Sequence, residues 1–171
     1  MNSKIEFVKV PFEVYRDARI QCLPSSDCTL LDKYIEEEWE NIKLPRRSTK
    51  GSAGYDFYTP YKVMVGTCPT LFPTGISFVT DRDDIFLMCV PRSGLGFKYG
   101  TKLRNTVGII DCDYYRSDNH GHIMAKMTSD VATEIEQGKA FMQGIILPFK
   151  KVDYDSAEAE RNGGFGSTDN G

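Results

Sequence analysis

From about residue 54 onward the chain is divided into short apolar segments, and this division constrains its fold more than any other feature. Each segment is rich in β-branched and aromatic residues and is bounded by Gly, Pro, Asp or Asn. Such segments predict short strands joined by turns, as in an all-β sandwich or barrel. The segments are YDFYTPYKVMV, TLFPTGISFVT, DIFLMCVP, NTVGIIDCDYY, GHIMAKMTS and AFMQGIILPFKKV.

The N-terminal part follows a different pattern. KIEFVKV alternates polar and apolar residues, which predicts a half-buried strand. In the following CTLLDKYIEEEWENIKLP, the residues Leu30, Leu31, Tyr34 and Ile35 recur at helical spacing, and acidic residues fill the opposite face. We therefore expect a short helical or irregular insertion near residues 22–42, with its acidic run as a solvated face.

Composition excludes several classes of function. A length of 171 residues suits one domain with its own core. The formal charge of −3 argues against a duplex-binding surface, which is normally basic. The five cysteines lack paired CxxC spacing and are interpreted as free, buried thiols in a reducing compartment. Because no signal-peptide or membrane-spanning run is present, we expect a soluble, cytoplasmic protein with no membrane or direct nucleic-acid partner.

The first chemical motif is PRSGLGFKYG, residues 91–100, directly after an apolar strand segment. Arg92, Ser93 and Gly94 there combine a planar cation, a hydroxyl and accessible backbone N–H groups, which suits phosphate. An ordinary turn before a helix explains the same residues, so the motif alone leaves both interpretations open.

A second motif, NTVGIIDCDYY, ends an apolar run at Asp111 and Asp113. We expect Val107–Ile110 to form a buried strand. If the strand continues, both carboxylates point to one face. If the chain turns instead, one carboxylate can face a pocket as a general base while the other caps the turn.

Two further motifs place polar groups in apolar surroundings. Asp56 in STKGSAGYDFYTP either caps a turn or has a functional partner. Gln143, beside Gly144 in QGKAFMQGIILPF, needs a partner for its amide. The Gly-rich end, ERNGGFGSTDNG, has the composition of a flexible tail, yet it carries a cation, an aromatic ring and two hydroxyls.

Taken together and in this order, the five motifs resemble those of the trimeric dUTP pyrophosphatase (dUTPase) family across nearly the whole chain. The resemblance implies a jelly-roll-like β-barrel over residues 1–154 and a flexible arm over 155–171 that closes over an active site. It implies a homotrimer with active sites shared between subunits. The implied enzyme hydrolyses dUTP to dUMP and pyrophosphate, which keeps uracil out of DNA and supplies dUMP for thymidylate synthesis.

The resemblance also implies a role for each matching residue of the third motif. Asp111 is the general base that activates water for attack on the α-phosphorus. Tyr114 lies under the deoxyribose and excludes a 2′-hydroxyl. Backbone groups of the hairpin read the uracil edge, and Met124 borders the base. The hairpin residues are Asn105, Gly108, Ile109 and Ile110.

The remaining motifs are implied to hold the phosphates. Arg92, Ser93, Gly94 and Gln143 contact them from a neighbouring subunit, and Asp56 acts on the water shell of Mg²⁺, the expected cofactor. In the arm, one residue grips the terminal phosphates, one stacks on uracil and three hold the γ-phosphate. These are, in that order, Arg161, Phe165, and Gly166, Ser167 and Thr168.

The chain departs from the common family pattern after Tyr114, where YRSDNHGHI makes a longer loop. We interpret His120 and His122 as surface-loop residues rather than metal ligands. One alternative function is a nucleotide-responsive regulatory or binding protein that uses the dUTP pocket and presents its insertions to a partner. Another is a deoxycytidine triphosphate deaminase on the related fold, which the hairpin and the tail disfavour.

Overall fold

Eleven short strands and three helices form the regular structure in this computed structural model, which describes residues 3–23 and 31–157. The helices are α1 (Phe12–Gln21), α2 (Leu31–Glu40) and α3 (Ser93–Tyr99), and a 3₁₀ turn spans Tyr114–Arg116. The strands are β1 (Ile5–Lys9), β2 (Gly54–Tyr58), β3 (Val63–Val65), β4 (Thr70–Pro73), β5 (Ile76–Thr80), β6 (Ile85–Pro91), β7 (Lys102–Leu103), β8 (Gly108–Asp111), β9 (Met124–Thr128), β10 (Thr133–Ile135) and β11 (Ala140–Pro148).

The strands pair antiparallel in four small sheets. The largest has the order β2–β11–β6–β8, and a three-stranded sheet has the order β4–β9–β7. Two further sheets are the pairs β1–β5 and β3–β10. The predicted all-β, jelly-roll-like fold is confirmed, and each of the six apolar segments contains at least one strand.

The core lies between these sheets and follows from alternation along the strands. In β6, Ile85, Leu87 and Cys89 point inward and are buried, whereas the residues between them are half-buried. Four phenylalanines from different strands fill the centre without any exposed surface: Phe57, Phe72, Phe78 and Phe141. Burial of aromatic side chains on this scale supplies much of the hydrophobic stabilisation.

The four cysteines within residues 3–23 and 31–157 are free thiols, but the expectation that they are buried is correct for one of them alone. Cys89 is buried in the core and Cys68 is exposed. Cys112 is half-buried and lies in the turn after β8 rather than inside a strand.

Helical structure begins earlier than predicted. The insertion expected near residues 22–42 contains α2, but α1 precedes it and was not predicted. Tyr15 is the fully buried residue of α1, and Arg19 pairs with Glu38 of α2 at 2.9 Å. Trp39 of α2 in turn donates from Nε1 to Val10 O, next to β1, at 2.9 Å. None of the helices in the described ranges has the length and apolarity of a membrane span.

Candidate active site

Residues 105–110, called the hairpin below although β7 and β8 lie in different sheets, form one wall of a cleft of about 210 Å³. Buried core residues Cys89, Leu103 and Met142 form its floor. Seven residues that the sequence predicts for the nucleoside site line this cleft together: Asn105, Gly108, Ile109, Ile110, Asp111, Tyr114 and Met124.

The hairpin turns sharply at Thr106, which has φ +66°. The N–H of Val107 donates to the carbonyl of Asn105 at 2.7 Å and closes a three-residue turn around it. Positive φ is unfavourable for a β-branched residue, so the turn stores strain. Gly108 then packs tightly against β6, because a Cβ at this position would lie 3.1 Å from the Cβ of Cys89.

β8 is less buried than predicted. It lies at the edge of its sheet and pairs with β6, so its other edge faces the cleft. Ile110 packs against the core, but Ile109 points away from it and is 55% exposed. The prediction of a buried strand over Val107–Ile110 is therefore wrong: the run is apolar because one face packs on the core and the other is an exposed surface beside the cleft.

Asp111 and Asp113 do not share a face, because the strand ends at Asp111 and the chain turns there. Asp111 lines the mouth of the cleft. Asp113 precedes the 3₁₀ turn in the N-cap position. Of the two geometries open to the sequence, the structure has the one in which a single carboxylate faces the pocket.

Tyr114 is buried in the cleft wall with 5% of its surface exposed. Its hydroxyl donates to the carbonyl of His122 at 3.2 Å and accepts from Asn119 Nδ2 at 2.9 Å. The ring orientation is therefore fixed from behind by the following loop.

A second cluster contains the predicted phosphate-binding residues. Asp56 lies within β2 and is 8% exposed, so the turn-capping interpretation is wrong. Its Oδ1 pairs with Arg92 Nε at 3.3 Å, and its Oδ2 accepts from Ser48 Oγ at 2.7 Å. Arg92 caps α3, which begins with Ser93 and Gly94. The segment of residues 91–94 is therefore both a turn before a helix and a site that positions a cation.

Gln143 joins this cluster from the neighbouring strand β11. It is half-buried and pairs in register with Asp56 on β2 and Val90 on β6. Directly paired residues present their side chains on the same face of a sheet. The Gln143 side chain lies over Gly54, where a Cβ would collide with it.

The two clusters lie far apart within one chain. Asp111 pairs with Phe86 on β6, and Arg92 follows six residues after Phe86. At about 3.3 Å per strand residue, this register separates their backbones by about 20 Å. One chain therefore does not bring Asp111 and Arg92 together.

A larger cleft of about 820 Å³ adjoins the hairpin cleft and shares Asn105, Met124 and Lys126 with it. One wall is a helical stripe of α1, and the other is the outer side of β4 and β9 with the loop after the 3₁₀ turn. Lys126 was not predicted as a site residue, although its polar position in the alternating β9 sequence MAKMT indicates an outward side chain.

The two histidines differ in environment. His120 is exposed, as predicted, but the surface interpretation is wrong for His122, which is 1% exposed. Its Nε2 accepts from the Gly75 N–H at 2.9 Å. Burial lowers the pKa of His122 to about 4. Nothing in the sequence around His122, which directly follows Gly121, indicates this burial.

Within residues 3–23 and 31–157, no three His, Cys, Asp or Glu side chains group as a metal site. A carboxylate such as Asp56 is a hard oxygen donor, which is the ligand type that Mg²⁺ prefers, and its contact with Ser48 and Arg92 leaves it suited to bind through water. The predicted arm residues Arg161, Phe165, Gly166, Ser167 and Thr168 lie outside the described ranges.

Comparison with known proteins matches the sequence model of the dUTPase family to residues 40–169, so the chain belongs to the dUTPase family. The deoxyuridine 5'-triphosphate nucleotidohydrolase of Lactococcus lactis is 39% identical over 133 residues, covering 74% of this chain and 88% of that protein. The range matched by the family model, residues 40–169, begins at the last residue of α2. Most of the helical insertion therefore lies outside it.

Solved structures agree with this assignment. The dUTPase of Streptococcus mutans is 36% identical, with a TM-score of 0.59, and the match covers 67% of this chain and 91% of that one. A mutant dUTPase from a phage of S. aureus, described with a structural Mg(II) ion, shares the fold at 19% identity and a TM-score of 0.55, covering 70% and 92% of the two chains.

Proposed function

We propose that this chain hydrolyses dUTP to dUMP and pyrophosphate, with Asp111 as the general base. The observation that carries this proposal is the hairpin cleft, where Asp111 at the mouth, Tyr114 in the wall and the edge of β8 converge. Membership of a nucleotidohydrolase family supports the same reaction. In the cell, the reaction removes dUTP before it enters DNA and supplies dUMP.

Asp111 accepts a proton from water as the water oxygen bonds to the α-phosphorus. The bond from that phosphorus to the bridging oxygen then breaks, and pyrophosphate leaves with the electron pair. The position of Asp111 at the mouth of the cleft suits it to take this proton as a general base. When bound, Mg²⁺ neutralises charge on the triphosphate, and Asp56 holds its water shell.

The cleft wall selects the nucleoside. Backbone groups along the edge of β8 bind the uracil edge, with Asn105, Gly108, Ile109 and Ile110 enclosing the base and Met124 at its border. An amino group in place of the 4-oxo group leaves buried donors and acceptors unpaired, so cytosine is rejected. Tyr114 packs under the deoxyribose and blocks a 2′-hydroxyl.

The phosphate-binding residues come from a second copy of the chain. Arg92, Ser93, Gly94 and Gln143 bind the triphosphate that the neighbour's hairpin cleft holds. The separation of about 20 Å between the backbones of Asp111 and Arg92 supports this shared site, because one chain does not place both residues side by side. In a homotrimer, three such sites use each hairpin cleft once and each Arg92 cluster once.

The arm, residues 155–171, closes over the site that the barrel, residues 1–154, helps to build. Arg161 binds the terminal phosphates and Phe165 stacks on uracil, while Gly166, Ser167 and Thr168 bind the γ-phosphate. Its Gly-rich sequence supports a segment that orders on substrate binding. Nothing in the ranges seen here favours the regulatory alternative.

Release of pyrophosphate from dUTP, dTTP, dCTP and UTP tests the proposal. We expect turnover of dUTP and little turnover of the other three. Similar rates with all four nucleotides would disprove the specificity assigned to the cleft, and no pyrophosphate from dUTP would disprove the function.

A further inference from the structure

The loop between Tyr114 and Met124 directs its polar groups back onto Tyr114. Asn119 Nδ2 donates to the Tyr114 hydroxyl at 2.9 Å, and that hydroxyl donates to the His122 carbonyl at 3.2 Å. Ser117 Oγ donates to the Tyr114 carbonyl at 2.7 Å. Both the backbone and the side chain of Tyr114 are thus held by one loop.

The loop is itself cross-linked, with Asn119 at its centre. Asn119 Oδ1 accepts from the Gly121 N–H at 3.2 Å and lies 2.7 Å from Ser117 Oγ, whose single hydrogen is shared between this oxygen and the Tyr114 carbonyl. Gly121 has φ +66°, and a Cβ there would lie 2.5 Å from the Cα of Tyr115, so the tight return of the chain requires glycine. The amide of Asn119 is therefore oriented, with its NH₂ group toward Tyr114.

The far end of the loop is bonded to the barrel. The ring of His122 accepts from the Gly75 N–H at 2.9 Å. Thr74 Oγ1 donates to the Ile123 carbonyl at 2.6 Å, and the Ile123 N–H donates to Ile76 O at 2.9 Å. Hence the His122 carbonyl, which accepts the hydrogen bond from the Tyr114 hydroxyl, belongs to a segment that is fixed to the barrel.

A second cleft lies behind the groups that hold the Tyr114 hydroxyl. Asn119 and His122, which lie behind the Tyr114 hydroxyl, themselves line the larger cleft of about 820 Å³. A ring with open space behind its supports can move back under pressure from a ligand unless directional bonds hold it.

From this geometry we infer that Asn119 is a positioning residue that fixes the Tyr114 ring and so sets the discrimination between 2′-deoxyribonucleotides and ribonucleotides. The inference rests on the proposed function, because it assigns a mechanical basis to the selectivity of that site. A steric barrier to a 2′-hydroxyl discriminates only as far as the barrier resists displacement. Asn119 acts through Tyr114 and need not touch the nucleotide.

The test compares kcat/KM for dUTP and UTP in the full chain and in Asn119→Ala. We expect the ratio of UTP to dUTP to rise about tenfold, the effect of losing roughly one directional hydrogen bond to a buried group. Asp118→Ala, which changes an exposed side chain of the same loop, is the matched control and should leave the ratio unchanged.

Tyr114→Phe provides a second route, because it removes the hydroxyl and keeps the ring. It should raise the ratio by a similar factor, and the double variant should give no further increase. Thermal unfolding of each variant separates a folding defect from a change in selectivity.

An unchanged ratio in folded Asn119→Ala overturns the inference. If Asn119→Ala does not fold, the ratio in Tyr114→Phe decides, and wild-type selectivity there overturns it equally. A wild-type chain that does not hydrolyse dUTP disproves the proposed function, whereas an active wild type with unaffected variants disproves the role of Asn119 alone.

Discussion

Asp111 and Asp113 are separated by one residue, yet the backbone gives them different surroundings. Asp111 is the last residue of β8 and borders the hairpin cleft, whereas Asp113 stands before the 3₁₀ turn. Two neighbouring carboxylates can therefore serve different ends: one is placed to take a proton from water, and the other belongs to the turn that follows.

Asp111→Asn should reduce kcat for dUTP by about 10²- to 10⁴-fold, because an amide of the same shape does not accept the proton. Binding of dUTP should be largely retained. Pyrophosphate release and a separate titration of nucleotide binding measure the two effects. Asp113→Asn is the matched control, and an equal loss of kcat in both variants would remove Asp111 from the role of base.

His122 gives the protein a stability that depends on pH. Burial lowers its folded-state pKa to about 4, below the ordinary value of 6.5 that the unfolded chain retains. Between these values the unfolded state binds more protons, so the stability contribution is present above pH 6.5 and is lost as pH falls toward 4. At pH 5 the loss should be about 2 kcal/mol.

Urea unfolding of the wild type and of His122→Gln at pH 7.5 and pH 5 checks this expectation. Glutamine still offers an oxygen to the Gly75 N–H but does not titrate, so its stability should fall less between the two pH values. His120→Gln, on the exposed side of the loop, should behave as the wild type. Equal pH dependence in all three proteins would contradict the assignment.

At the scale of elements, α1 and α2 are joined to each other by partly buried polar contacts, and apolar side chains of both helices pack against the barrel core. Arg19 bonds to Glu38 through two nitrogens, at 2.9 and 3.2 Å, and its guanidinium lies 3.6 Å from the centre of the Tyr61 ring. The hydroxyl of buried Tyr15 also donates to Glu38, at 3.2 Å. Polar contacts of this kind leave no apolar periodicity, and Tyr15 is the one fully buried residue of α1, so the segment carries a weak helical signal.

Arg19→Met should destabilise the fold by about 2–3 kcal/mol, because it leaves Glu38 mostly buried without its cation. The Arg19 and Glu38 side chains are only 12% and 17% exposed. Arg16→Met breaks a similar pair with Asp32 that lies at the surface, and its loss should be much smaller. Urea unfolding compares them, and losses of equal size would show that burial of the pair is unimportant.

The strands show where sequence prediction succeeds and where it stops. Long alternating segments such as the one that became β6 are visible because packing on one face imposes a period of two. β7 and β10, with two and three residues, are too short to show a period and are formed by pairing with β9 and β3. Ile109 was misplaced because sequence does not reveal which strand lies at the edge of a sheet.

At the scale of the whole molecule, the proposed site requires more than one chain. Asp111→Asn and Arg92→Ala should each be almost inactive alone. Mixed, unfolded and refolded together, they should recover activity at roughly a quarter of the sites, because random assortment then pairs an intact hairpin with an intact Arg92. Each variant refolded alone is the control. No recovery in the mixture would show that the hairpin cleft and the Arg92 cluster do not form one shared site.

Removal of the arm tests the division of the chain. A chain ending at Glu160 should retain its melting temperature and lose about tenfold or more in kcat, because the closing segment is absent while the barrel is complete. Melting and pyrophosphate release are the two measurements. Unchanged turnover would make the arm a linker, and a lower melting temperature would make it part of the barrel.

The sequence by itself determined the strand-rich fold, the five motifs and, through their order, the family. These are local or compositional properties, since turn residues, alternation and motif spacing act over a few positions. It also indicated that Asp111, Tyr114 and Arg92 carry chemistry. Seven of the predicted nucleoside-site residues do meet in one cleft.

Only the tertiary structure decided how these groups are arranged. The register of β6 with β8 separates Asp111 from Arg92, and β2 with β11 brings Asp56 beside Gln143. Burial of His122 and the hold of Asn119 on Tyr114 likewise depend on segments distant in sequence or on the path of a loop. Such contacts arise from pairing and packing between elements, and no local pattern of residues encodes a distance between two strands.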